Sequence, residues 1–139
     1  MNKQVKMAFV LSLAMAGISV SAMAQSVSAD LKGSVEVPAN DSAAIGSASI
    51  VVAPDKTVSG GITTTGIAGS MAHIHTGAVG VNGPVIVGLT KNGDNGWIVP
   101  AGAKFTDAQY AAYMAGGLYV NVHSAAHPGG EIRAQLLPK

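Results

Sequence analysis

The 139-residue chain has no cysteine. That excludes disulfides and thiolate metal ligands, so a bound metal would have to be held by nitrogen or oxygen donors. Charge is scarce. Asp, Glu, Lys and Arg make up 11% of the residues, and Arg133 is the sole arginine. So weak a basic character excludes nucleic acid and anionic membrane as partners, since both need a cationic surface. Long hydrophobic runs are absent as well. The longest, Met7 to Val20, falls short of the ~20 apolar residues that a spanning helix needs.

What stands at the N-terminus instead is a leader pattern. Lys3 and Lys6 precede the apolar stretch, and Ala22-Met23-Ala24 fits the small-x-small cleavage rule. Residues 1–24 therefore read as a secretory signal peptide, and 25–139 as a single domain. Cleavage removes two of the eight basic residues, so six face seven acids and the formal charge is about 6 − 7 = −1. The expected destination is the periplasm of a cell with an outer membrane, or the medium otherwise. Once the leader is gone, no membrane contact is expected. Stability must come from a packed core and a closed hydrogen-bond network.

Short apolar runs between turn signals then recur, as in an all-β sandwich or barrel. Strands are expected at 30–37, 46–53, 57–64, 70–75, 84–89, 95–99, 117–123 and 131–137. The sequences APDK, GAVGVNG, Asn92-Gly93 and Asn95-Gly96 mark turns, because Gly and Asn accept positive φ cheaply. One helix is expected at 106–115. There Thr106 and Gln109 have the spacing of a capping box, alanines favour helix and Gly116-Gly117 stops it. Tyr110, Tyr113 and Met114 are spaced to pack on the sheet.

The four histidines fall in two short segments, GSMAHIHTG and LYVNVHSAAHPGG. Alternate strand residues share a face. Met71, His73 and His75 therefore oppose Ala72 and Ile74. Tyr119, Asn121 and His123 oppose Leu118, Val120 and Val122. Glu131, Arg133 and Gln135 oppose Ile132, Ala134 and Leu136. Each strand has an apolar face for the interior, and the polar face is expected to look out to solvent. If the strands are neighbours, His73, His75 and His123 form one cluster with Arg133 beside it. Imidazole is the commonest metal ligand near neutral pH, and an all-histidine set suits copper or zinc. For His127, which precedes a Pro-Gly-Gly turn, three roles stay open: fourth ligand, support for a ligand, or free surface residue. Ser124 adjoins His123 but points the other way, and no Gly-x-Ser-x-Gly elbow is present, which argues against a hydrolase.

The runs AHIHTGAVGVNGPVIVGL and GWIVPAGAKFTDAQYAAYMAGGLYVNVHSAAHPGGEIRAQL, with LKGSVEVPAN before them, resemble the CHRD (chordin-type) domain over about residues 30–137. Such domains occur in extracellular signalling antagonists and exported bacterial proteins. A more distant resemblance links VSGGITTTGIAGSMAHIHTG, LYVNVHS and PGGEIRAQL to copper/zinc superoxide dismutases. That likeness implies a Greek-key β-barrel of superoxide dismutase-like type. It matches His73 and His75 to the H-x-H copper pair, His123 to the late copper histidine, and Arg133 to the arginine that guides the anion. The bridging histidine, the zinc ligands and the disulfide have no match, so no zinc site is expected.

Two functions follow from these residues. One is a periplasmic copper-binding protein holding Cu(I) or Cu(II). It would buffer or deliver the ion, or weakly dismutate superoxide, with Arg133 in the catalytic role of anion guide. Its partners would be the copper ion, and superoxide or a copper-handling protein. The other is a metal-free extracellular protein-protein interaction module, with GAVGVNGPV and the helix as its docking face. An open strand edge would admit a homodimer.

Overall fold

The computed structural model describes residues 17–19 and 22–139, so the signal-peptide reading falls largely outside the described residues. Among the described residues no helix is long and apolar enough to cross a membrane. Nine strands carry the fold: β1 (Gln25–Lys32), β2 (Ile45–Val52), β3 (Val58–Thr65), β4 (Gly69–Thr76), β5 (Val85–Gly88), β6 (Thr90–Lys91), β7 (Gly96–Ile98), β8 (Leu118–Ser124) and β9 (Ile132–Leu136). They form one antiparallel sheet in the order β5-β4-β8-β9-β1-β2-β3-β7-β6. The contacts β4–β8, β9–β1 and β3–β7 join strands distant in sequence, which is the Greek-key type of connection.

Leu89 alone separates β5 from β6. β5 pairs with β4, whereas β6 pairs with β7. Between them Leu89 N–H donates to Ala72 O at 2.9 Å, and the Lys91 ammonium donates to Gly69 O at 3.0 Å. One stretch of chain thus changes neighbours, brings the two ends of the sheet together and nearly closes the barrel.

The expected all-β barrel and its single helix are both present. The inward faces of the strands fill the interior with Leu31, Ile50, Ile62, Ile74, Val120, Val122, Ile132 and Leu136, none more than 2% exposed. Each such side chain contributes about 1.5–3 kcal/mol by leaving water. Helix α1 (Asp107–Met114) starts at Thr106, with both arms of the capping box made. Tyr113 is fully buried and Tyr110 half-buried, but Met114 is 46% exposed and does not pack as expected. The first strand also differs from expectation. It ends at Lys32, and Gly33–Val35 forms a 3-10 turn. That turn carries Glu36 inward beneath the loop from Gly77 to Pro84, where it meets Arg133.

Candidate metal centre

The register of β4 on β8 sets the site. Met71 lies opposite His123, His73 opposite Asn121 and His75 opposite Tyr119. On the next strand Arg133 lies opposite Asn121, and Gln135 opposite Tyr119. The polar face expected from strand alternation is therefore real and continuous over three strands.

Its expected exposure to solvent is wrong. His75 and His123 are each 7% exposed, Asn121 and Tyr119 1%, and Arg133 2%, while His73 is half-buried. Two segments cover the face. The loop from Gly77 to Pro84 lies over it, and the turn after β1 brings in Glu36. Asn82 ties these segments together, donating from Nδ2 to Val37 O at 2.8 Å and accepting from Arg133 Nη2. Gln135 Nε2 holds the start of the loop through Gly77 O at 2.8 Å. Gly83 fits only because it lacks a side chain: a β-carbon there would lie 1.7 Å from Thr76 O. Tyr119 is sandwiched beneath this cover. Its ring stacks on His75 at 4.6 Å and lies 3.9 Å from the Arg133 guanidinium.

One ring nitrogen from each of His73, His75 and His123 lies within 4.8 Å of the others. Nδ1–H of His123 donates to Pro128 O at 2.9 Å, and Nδ1–H of His75 donates to Gly83 O at 2.9 Å. Backbone carbonyls thus fix two tautomers in which each Nε2 is unprotonated, as second hydrogen bonds do for metal-ligating imidazoles. Nε2 of His123 accepts from His73 Nδ1–H at 3.0 Å. Nε2 of His75 lies 2.9 Å from the Asn121 amide oxygen. Burial disfavours a doubly protonated ring, so a half-turn of the amide lets its NH2 group donate there instead.

Burial, reinforced by the neighbouring His123 and His75, holds the His73 imidazole below the ordinary histidine value of 6.5. Burial likewise lowers His75. Hydrogen bonds to Gly83 and Asn121 oppose that shift, and His123 and Arg133 add to it. Both rings are therefore neutral at pH 7, the form that binds metal.

Two nitrogens on one ion can lie at most about 4.2 Å apart, twice a bond of about 2.1 Å. The cluster therefore fits a single ion after a small inward movement of its side chains. His127 lies outside this group. Its Nε2 is 3.7 Å from the Glu131 carboxylate, which also accepts from Ser124 Oγ at 3.0 Å.

Arg133 is enclosed. Nε and Nη2 each lie 3.0 Å from Glu36 Oε2, and Nη1 reaches Val81 O at 3.5 Å. The other carboxylate oxygen, Glu36 Oε1, is buried with no hydrogen-bond partner. It lies over Gly130, whose φ is +125° and whose β-carbon would come within 2.5 Å of it. Sequence reasoning missed Glu36 because it placed that residue in a strand over 30–37, and it missed Asn82 and Gly83 because loop residues have no face parity. The one available signal was a lone acid among valines in GSVEVPAN.

The family model of the CHRD domain matches residues 27–136. The chain belongs to the CHRD domain family. Comparison with curated proteins and with solved structures gives no match. This CHRD domain thus carries three clustered imidazoles beneath a loop that its own arginine and Glu36 hold in place.

Proposed function

We propose that this CHRD domain is an exported copper-holding protein whose ligands are His73, His75 and His123. The observation that carries this reading is the convergence of three ring nitrogens within 4.8 Å, two of them on rings already oriented by backbone carbonyls. The donor set contains no thiolate and no carboxylate. For nitrogen sites of this kind copper outcompetes zinc in the divalent series. The likeness of MAHIH and LYVNVH to the copper segments of superoxide dismutases supports the same ligands.

Buffering or delivery fits better than dismutation. A guiding arginine must face the incoming anion, whereas Arg133 is 2% exposed and paired with Glu36. A largely buried three-nitrogen site needs no catalysis to retain copper. The chain's own residues supply three things: neutral imidazoles, fixed tautomers and a covering loop that limits water. A second reading, a metal-free interaction module, draws on the family and on apolar residues exposed around the covering loop. There Val79 is 69% exposed, Val81 52% and Val85 50%.

Metal content separates the two. Protein produced in its own cell should carry copper near one ion per chain, with nitrogen hyperfine structure in the electron paramagnetic resonance of its Cu(II) form. His73→Ala removes the least buried ligand, so it should lose copper and still fold. Wild-type protein that takes up no copper, even when copper is supplied in excess, would leave the interaction module standing.

A further inference from the structure

Met71 is half-exposed, at 49%, on the same face of β4 as the histidines. Its neighbours Ala72 and Ile74 are 1% and 0% exposed, so the strand's alternation places Met71, His73 and His75 together. Across the ladder Met71 lies opposite His123. β-Carbons of directly opposed residues are about 4.5–5.5 Å apart, within reach of a long side chain with three rotatable bonds.

A register shift between Gly69 and Met71 creates this arrangement. Gly69 pairs with Ser124 and Met71 with His123, so two steps on β4 match one on β8. Bulges of this kind re-aim side chains and are frequent beside functional sites. On the other flank of β4, Gly88 lies opposite His73, and a β-carbon at Gly88 would meet nothing within 4 Å. That side of the cluster is therefore open to an ion.

We propose that Met71 supplies a thioether as the fourth donor beside His73, His75 and His123, which makes the centre selective for Cu(I). The proposal rests on the copper reading above and specifies the oxidation state. Thioether sulfur is a soft ligand that favours Cu(I), whereas Zn(II) gains little from it. Met71 is the most exposed member of the group, so an arriving Cu(I) ion would meet it before the buried rings of His75 and His123. That order of contact suits transfer between a donor protein and a store.

The test compares the wild-type full chain with Met71→Leu and Met114→Leu. Leu conserves volume, so both variants should fold. Met114 is the only other methionine outside residues 1–24 and lies on α1, so it serves as the control. Cu(I) affinity is read by competition with a Cu(I)-selective chelator, Zn(II) affinity by a zinc indicator, and ligation by X-ray absorption of the Cu(I) form. Loss of a direct ligand should cost at least the roughly 10–100-fold in affinity seen when a group supporting a ligand is removed. The expected result is that Met71→Leu loses this much Cu(I) affinity and its sulfur scattering, with Zn(II) affinity unchanged. Met114→Leu should match wild type. Tight copper binding with only nitrogen scattering, equal in wild type and Met71→Leu, would overturn the role of Met71 and leave the three-histidine site intact. Wild type that binds no copper at all would overturn both.

Discussion

Replacing Arg133 with Met should be among the most damaging single changes in this domain. The substitution removes the cation paired with the Glu36 carboxylate, which is 4% exposed and already has one unpartnered oxygen. It also removes the donors to Asn82 and Val81 and the cation over Tyr119. Deleting one partner of a buried pair costs about 3–5 kcal/mol, because the other charge is left uncompensated. Against a total stability of about 5–15 kcal/mol, that is about a fifth or more of what holds the domain folded. At roughly 4 °C per kcal/mol for a domain of this size, the midpoint should fall by roughly 12–20 °C.

The reasoning is sharpened by a second substitution. Glu36→Leu in the Arg133→Met background removes the stranded charge, and apolar replacement of a whole buried pair is often close to neutral. Asn82 and Val81 still lack their donor, a residual cost of about 1–3 kcal/mol. The double variant should therefore recover about half of the loss. Urea unfolding with linear extrapolation measures each step, provided the slopes agree. A double variant as unstable as the sum of its two single variants would refute the idea that charge isolation dominates.

Two further outcomes follow from the same geometry. Ile74 is fully buried between His73 and His75 on β4, so Ile74→Ala should cost about 2–5 kcal/mol of stability. The protein that remains folded, isolated by size exclusion, should keep a wild-type copper ratio. The metal-free protein should also lose stability on acidification. His73 and His75 sit below 6.5 when folded, so between 6.5 and their lowered values the unfolded chain binds more protons and stability falls as pH falls. Urea midpoints should drop as the pH falls below the ordinary histidine value of 6.5, and a flat profile would contradict neutral, desolvated rings.

Strand parity explains how much was legible. Residue alternation in MAHIH, LYVNVH and EIRAQL identified the shared face, and the register confirms that it gathers His73, His75 and His123. Parity describes which side of a sheet a residue takes. It says nothing of what else lies on that side. The error over exposure arose there: all seven residues of β8 are buried, polar and apolar alike. The cover comes from loops, whose residues Glu36, Asn82 and Gly83 meet the sheet across sequence separations of dozens of residues. Likewise the start of β1 was missed because SVSADLK alternates small residues that give little hydrophobic contrast. The helix was legible almost to the residue because a capping box is a local signal.

The chain from Val85 to Lys91 has a mechanical consequence. Because the last strand on one margin continues covalently into the last strand on the other, neither margin can peel away without pulling on its counterpart. Such a seam denies foreign polypeptides a place to begin zippering onto the sheet.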